Sequence, residues 1–175
     1  MTFLRFIRYQ NLLLIAVTQC LIHFIFLKTL NIPAALSTFS FFILVLASLL
    51  LAAAGYIIND INDSDIDKIN KPGRSFVPLI FTESKAFNYY FILNITGVGL
   101  GFYLSYKIGN TGFTTIFVLI SALLYTYASF LKKIILVGNI IVSVIVASSI
   151  LIIILFDLLP LLNTFPYKLS NPVAV

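Results

Sequence analysis

Charge is what this sequence has least of. Only 10% of its 175 residues are charged, six of them acidic, while 61% are hydrophobic and the mean hydropathy is +1.09. A soluble domain needs far more charge to cover its surface, so that class is excluded. Cys20 is the single cysteine, which excludes a disulfide framework and a cysteine-rich metal site. Its neighbours "AVTQC" lack the small residue that a lipoprotein cleavage site has just before the cysteine. His23 is the single histidine, and no carboxylate lies within helical reach of it. It reads as a satisfied interior or interface side chain and not as a ligand. There is no short-period repeat and no low-complexity tract. The net charge of +5 comes without a continuous basic face, so nucleic acid is excluded as a partner. Arg5 and Arg8 precede an apolar stretch in the manner of a signal peptide. The hydrophobic run continues past the usual length, however, and no small-x-small site follows, so the first span is read as retained.

What is present in quantity is long apolar runs. Five of them reach the roughly 20 residues that a hydrocarbon core requires, at about residues 10–28, 36–58, 86–106, 110–131 and 136–157. Pro33 sets the start of the second helix near Leu36. The expected fold is therefore all-α: a membrane-embedded bundle of about five transmembrane helices over residues 1–159, followed by a tail over 160–175. With the N-terminus in the cytoplasm, Arg5, Arg8, Lys68, Lys71, Arg74, Lys85, Lys132 and Lys133 fall on one side, and Lys28, Lys107 and Lys168 on the other. That asymmetry is the positive-inside pattern, and it accounts for the basic balance through topology and attraction to anionic lipid or substrate. Gly97 and Gly101 have small-xxx-small spacing, which reads as helix packing. Ala52–Gly55 likewise permits close helix approach.

Five of the six acids lie in one connection, residues 59–85. A connection of this length is usually functional or disordered. Its interleaved Phe76, Val77, Leu79, Ile80 and Phe81 point to a structured cap. If the second helix continues to Asp67, then Asn59, Asp63 and Asp67 form one stripe, drifting by about 40° per step over about 12 Å. Carboxylates crowded in this way repel unless a cation sits among them. Oxygen-only ligands with no His or Cys nearby select a hard ion, most simply Mg²⁺. A calcium loop beginning at Asp63, Asp65 and Asp67 fails, because Lys68 stands at its Gly position and Arg74 at its closing Glu. A solvated charge run is the plainest alternative, although Asp near a helix C-terminus opposes the helix dipole. Lys71 and Arg74 follow the acids, and Lys132 with Lys133 return to the same membrane face. Carboxylates holding Mg²⁺ beside several cations make a receptor for a diphosphate.

At these residues the chain resembles a known family. "NDINDSDID" is similar to the first Asp-rich motif of the UbiA-type intramembrane prenyltransferases, and "DKINKPGR" resembles its continuation. "LLYTYASFLKKIILVGNIIV" resembles the family's fourth span, basic turn and entry to the fifth, and "FIRYQNLLL" the start of its first helix. The similarity runs from Met1 to about Phe156. It implies a helical bundle whose lipid-accessible cavity binds an isoprenyl diphosphate through Mg²⁺. Carried over residue by residue, Asn59, Asp63 and Asp67 would hold the metal, with Asp63 and Asp67 as the catalytic acids and Asp60, turned about 100° away, a weaker candidate. Arg74, Lys71, Lys132 and Lys133 would engage the diphosphate, with Tyr125 or Tyr127 nearby and Asn11 lining the cavity. Ser75 stands where many members have Pro.

The resemblance also marks a departure. The family completes its metal site with a second acidic cluster, whereas here the one acid after Glu83 is Asp157, expected on the opposite side of the membrane. The chain is therefore expected to correspond to the N-terminal part of a nine-helix prenyltransferase, or to a shortened product. The implied function is Mg²⁺-dependent transfer of an isoprenyl group from a polyprenyl diphosphate to a small acceptor in a bacterial or archaeal cell membrane. "IDKINKPGR" favours a glycerophosphate-type lipid precursor over an aromatic quinone precursor. The contrasting expectation is a non-catalytic membrane half-bundle with a cation site that assembles with another chain.

Overall fold

The structure, a computed structural model, describes residues 2–70 and 75–162. Every regular element in them is helical. These are α1 (Thr2–Phe6), α2 (Tyr9–Thr29), α3 (Thr38–Asn62), α4 (Ser64–Asn70), α5 (Glu83–Lys107), α6 (Thr114–Ser129), α7 (Ile135–Asp157) and α8 (Leu159–Leu162). Helix is what a run this apolar must form in lipid, because it satisfies each backbone N–H and C=O within the segment. Boundaries fall where side chains can cap. Ser37 accepts from the Ser40 N–H to start α3, and Thr82 accepts from the Lys85 N–H to start α5. Within α2 the hydrogen bonding widens to a π-helix over Leu21–Phe26, the stretch that carries His23.

Four described helical segments, Tyr9–Thr29, Thr38–Asn62, Thr111–Ser129 and Leu136–Leu161, are long and apolar enough to span a membrane. The helix expected at 86–106 exists as α5 and, at 25 residues, is as long as α3. It is more polar than the other four, carrying Asn88, Asn94, Thr96 and Ser105. Part of that polarity faces protein: Ser121 of α6 donates to Asn94 at 2.9 Å. A hydrogen bond between helices substitutes for the missing hydrophobic drive inside lipid.

α3 is the central helix. Half of its most apolar window is buried inside the bundle, against 11–17% for the other three, so those three present most of their surface outward. Close approach to α3 rests on small residues. Gly97 of α5 lies against Leu51 and the Ala47 carbonyl, and Gly101 lies against the Phe117 ring of α6. The small-xxx-small pair is thus packing, as its spacing implies. A Cβ at Gly101 would overlap that ring, whereas Gly99 faces open space. Gly101→Ala is expected to destabilise the bundle by about 1–3 kcal/mol, and Gly99→Ala to leave it unchanged, as read by thermal unfolding in detergent.

Apolar side chains collect in two clusters at opposite ends of α3. One joins Phe41, Leu44, Leu104, Phe117, Ile153 and Phe156; the other joins Phe6, Ile57, Ile58, Ile61, Val77, Ala86 and Ala128. The second cluster shows how the long connection is held. Val77 is buried, and Phe76 and Phe81 lie 5.5 and 4.9 Å from the Phe6 ring, centroid to centroid. Leu79 and Ile80 are exposed. The described part of the connection is therefore a cap packed over α1 and the C-terminal half of α3.

Candidate functional site

The site is built where α3 runs out. Asn62 back-bonds to the Ile58 carbonyl at 3.0 Å, Asp63 is the C-cap with φ −90° and ψ −3°, and α4 begins one residue later. The continuous helix expected through Asp67 is thus corrected to two helices broken at Asp63. The reason is local: Asn side chains compete with the backbone ladder, and acids at a C-terminus oppose the dipole. Asn59 and Asp63 nevertheless remain neighbours one turn apart, with the Asn59 amide donating to Asp63 at 2.9 Å. Asp67 belongs to α4, half-buried. Asp65, on the same helix, is exposed; Lys68 donates to it at 2.7 Å and holds its carboxyl below the usual range. Asp65 is therefore outside the site.

Lys132 closes the arrangement from the far side of the bundle. Its ammonium donates to Asn59 Oδ1 at 3.1 Å and to Asp63 Oδ1 at 2.6 Å. It reaches them from a tight turn, Leu131–Lys133, between α6 and α7. Gly138 makes that turn possible: a Cβ there would meet the Leu131 carbonyl and the Lys132 Cα, both at 3.2 Å. Lys133, its sequence neighbour, is exposed. Of the two candidate lysines, the structure brings Lys132 to the acids and points Lys133 elsewhere.

Arg8 is the residue that the sequence reading undervalued, having counted it as a topological anchor. Its guanidinium donates to Asp60 at 2.9 Å and lies 4.9 Å above the Tyr56 ring. The backbone is strained to put it there, with φ +53° and ψ +54° in the left-handed region that a non-glycine residue rarely adopts. A signal was available, since Arg8 lies three residues before Asn11 in the stretch that resembles the family's first-helix start.

Behind these charges lies a cavity of about 380 Å³. Arg8, Asn11, Tyr56, Asn59 and Tyr127 line its polar end. Ile15, Leu51, Phe117, Ile120, Leu124 and Ile152 are among its apolar walls. Asn11 is where the sequence reading put it. Tyr125 is not: it is exposed, its ring 6.4 Å from Tyr90, and Tyr127, 200° further round α6 at 100° per residue, is the tyrosine that faces the cavity. Lys71 and Arg74 lie outside the described residues.

The donors suit a hard cation only in part. Two oxygens, Asn59 Oδ1 and Asp63 Oδ1, converge on the Lys132 ammonium. Among the described residues, no three of His, Cys, Asp or Glu come close enough together to hold a metal ion. A magnesium ion there would complete its shell with water and phosphate oxygens, its ordinary habit.

Comparison with known proteins places the chain among membrane prenyltransferases by sequence and by fold. The model of the UbiA prenyltransferase family matches residues 20–157. The chain belongs to that family. This UbiA-family chain is 38% identical over 109 residues to the digeranylgeranylglyceryl phosphate synthase of Sulfolobus acidocaldarius, covering 62% of this chain and 38% of that protein. It is 31% identical over 141 residues to the enzyme of the same name from Methanobrevibacter smithii, covering 81% of this chain and 47% of that one. A solved structure of a digeranylgeranylglyceryl phosphate synthase superposes with a TM-score of 0.72 at 26% identity, over 87% of this chain and 51% of the other. The UbiA-family chain thus spans about half, or less, of the length of these relatives. It is an all-helical membrane protein whose fold matches about half of that solved synthase.

Proposed function

We propose that the chain contributes the diphosphate-binding part of a prenyltransferase that moves an isoprenyl group from a polyprenyl diphosphate to a glycerophosphate-type acceptor, with Mg²⁺. The observation that carries this is the convergence of Asn59, Asp63 and Lys132 beside the polar mouth of an apolar cavity, a shape suited to a molecule with a charged head and a hydrocarbon tail. The names of the relatives support the choice of acceptor.

Asn59 and Asp63, with Asp67 on the following turn, would hold the ion, and Lys132 would contact the diphosphate directly. Bound Mg²⁺ would supply charge neutralisation for the leaving diphosphate. As the allylic C–O bond breaks, negative charge grows on the diphosphate, where Lys132 and Arg8 stabilise it as fixed cations. Positive charge grows on the prenyl carbon, where the faces of Tyr127 and Tyr56 provide cation–π stabilisation. The acceptor oxygen then forms the new C–O bond and gives up its proton. With the N-terminus in the cytoplasm, the mouth opens on the cytoplasmic side, where the Lys and Arg excess would also attract anionic substrate.

The test is a product assay in nanodiscs with labelled geranylgeranyl diphosphate, a glycerophosphate-type acceptor, and magnesium present or chelated. Magnesium-dependent prenylated product is the expected result. Diphosphate binding without product favours the second reading, a non-catalytic half-bundle that assembles with another chain. That reading draws on the mostly outward-facing surfaces of α2, α6 and α7. Arg8→Ala is expected to weaken diphosphate binding about tenfold, the worth of one charge-assisted hydrogen bond. Equilibrium binding of the labelled substrate would measure it.

A further inference from the structure

Lys132 engages the very oxygens of Asn59 and Asp63 that a divalent ion would need. The three side chains close a ring. The Lys132 ammonium donates to Asn59 Oδ1 at 3.1 Å and to Asp63 Oδ1 at 2.6 Å, and the Asn59 amide donates to Asp63 Oδ2 at 2.9 Å. Both carboxylate oxygens of Asp63 therefore have a donor, and the point on which Asn59 Oδ1 and Asp63 Oδ1 converge is filled by the lysine nitrogen. Lys132 and Asp63 are largely sheltered, so water and salt screen the pair weakly. Arg8, the other cation of the mouth, stays clear of these oxygens. It has a carboxylate of its own, Asp60 at 2.9 Å, and a left-handed backbone sets its position.

Magnesium binds oxygen ligands at about 2.0–2.1 Å. An ion seated where these two oxygens converge would overlap the ammonium, and two cations that close repel strongly in a sheltered site. Lys132 and the ion are thus alternatives at Asn59 and Asp63. A diphosphate changes the balance between them, because its oxygens give the lysine a second anionic partner and at the same time complete the shell of the ion. Lys132 can make the exchange, since its ammonium rides on a flexible four-carbon stem rooted in the turn Leu131–Lys133. We propose that Lys132 is an internal competitor for the metal site, keeping a free divalent ion off Asn59 and Asp63 and yielding their oxygens to one that arrives with diphosphate. The form of substrate that the site takes is then the metal–diphosphate complex. This rests on the proposed diphosphate reading of the mouth. By linkage, diphosphate tightens metal binding and metal tightens diphosphate binding by the same factor, and displacement of Lys132 supplies part of it.

The experiment measures binding of Mn²⁺, a paramagnetic stand-in for Mg²⁺ with the same preference for oxygen ligands. Electron paramagnetic resonance reads it on the intact chain in phosphatidylcholine nanodiscs, before and after geranylgeranyl diphosphate is added. Without diphosphate, Lys132→Met is expected to bind Mn²⁺ at least about tenfold more tightly than the wild-type chain, the order of one charge-assisted hydrogen bond. Lys133→Met removes the same charge one residue away, from an exposed side chain, and is expected to stay within about twofold of wild type, because exposed charges are screened. With diphosphate present, the advantage of Lys132→Met is expected to shrink, since the wild-type lysine has then left the oxygens. Equal Mn²⁺ affinity in Lys132→Met and the wild-type chain without diphosphate overturns the inference. So does an equal gain in Lys133→Met, which would assign the effect to net charge. Should Lys132→Met fail to fold, Lys132→Gln, which keeps a donor but not the charge, is read by the same criteria. If the wild-type chain binds no geranylgeranyl diphosphate, the diphosphate reading fails and takes this inference with it, whereas failure of the inference alone leaves that binding intact.

Discussion

Asp63→Asn is expected to abolish magnesium-dependent diphosphate binding, with a loss of at least about a hundredfold in any turnover, while leaving membrane insertion intact. The size follows from what Asp63 touches. It supplies the one full negative charge in the Asn59–Asp63–Lys132 group, at 2.6 Å from the lysine ammonium, and both side chains are largely sheltered, at 25% and 15% exposure. Removing one preorganised charge from such a site typically costs a factor of about a hundred to a thousand in rate. The amide would keep the shape and still contact Lys132, so any loss reports on charge and metal affinity and not on packing. Asp65→Asn is the matched control: it is the same substitution two residues away, on an exposed side chain paired with Lys68, and binding should not change. Calorimetric titration of the diphosphate with and without magnesium separates the cases. Equal loss in both variants would mean that bulk negative charge, not this centre, attracts the ion.

The second large effect is on stability, at the other end of the molecule. Asp157→Ala should lower stability in detergent by about 3–5 kcal/mol, the usual consequence of removing one partner of a buried pair. Asp157 is fully buried and makes three connections at once. Its Oδ2 lies 2.6 Å from His23 Nδ1, its Oδ1 accepts from the Leu36 N–H at 3.0 Å, and its own carbonyl accepts from the Ala35 N–H at 3.2 Å. His23 in turn stacks on Phe41 with ring centroids 3.9 Å apart. The last long helix is thereby pinned to the first helix and to the connection before α3. Truncation would leave the imidazole and a backbone N–H buried without their acceptor. Asp157→Asn, which keeps an acceptor in place, should cost clearly less. An unchanged melting temperature for Asp157→Ala would show that the α2–α3 connection is held by other contacts.

Several features were legible from residues alone because their causes are local. Helices follow from runs of apolar side chains: the expected 36–58, 86–106 and 136–157 fall in the helices Thr38–Asn62, Glu83–Lys107 and Ile135–Asp157. Asn59 and Asp63 were found together because helical spacing makes them neighbours whatever the rest of the chain does. The break at Asp63 was missed, since the competition between Asn62 and the backbone ladder is decided by a balance of about 1 kcal/mol, the net worth of a hydrogen bond. The choice between Tyr125 and Tyr127 stayed open for another reason. Periodicity orders the side chains around a helix, but only the neighbouring helices say which face looks inward, and they turn Tyr127 in and Tyr125 out.

His23 illustrates the division well. No carboxylate lies near it in the chain, which made it look solitary, and its partner lies 134 residues away. Composition and periodicity by themselves determined that this protein is a helical membrane bundle with its acids gathered at one end of the second span, because lipid leaves an apolar chain no other way to satisfy its backbone. Only the tertiary structure decided which cation faces those acids, that Arg8 belongs with them, and that Gln19 bonds to Ser48 and Ser149 on two other helices. Those choices depend on helices distant in sequence meeting at particular rotations, which packing between side chains selects and no local pattern encodes.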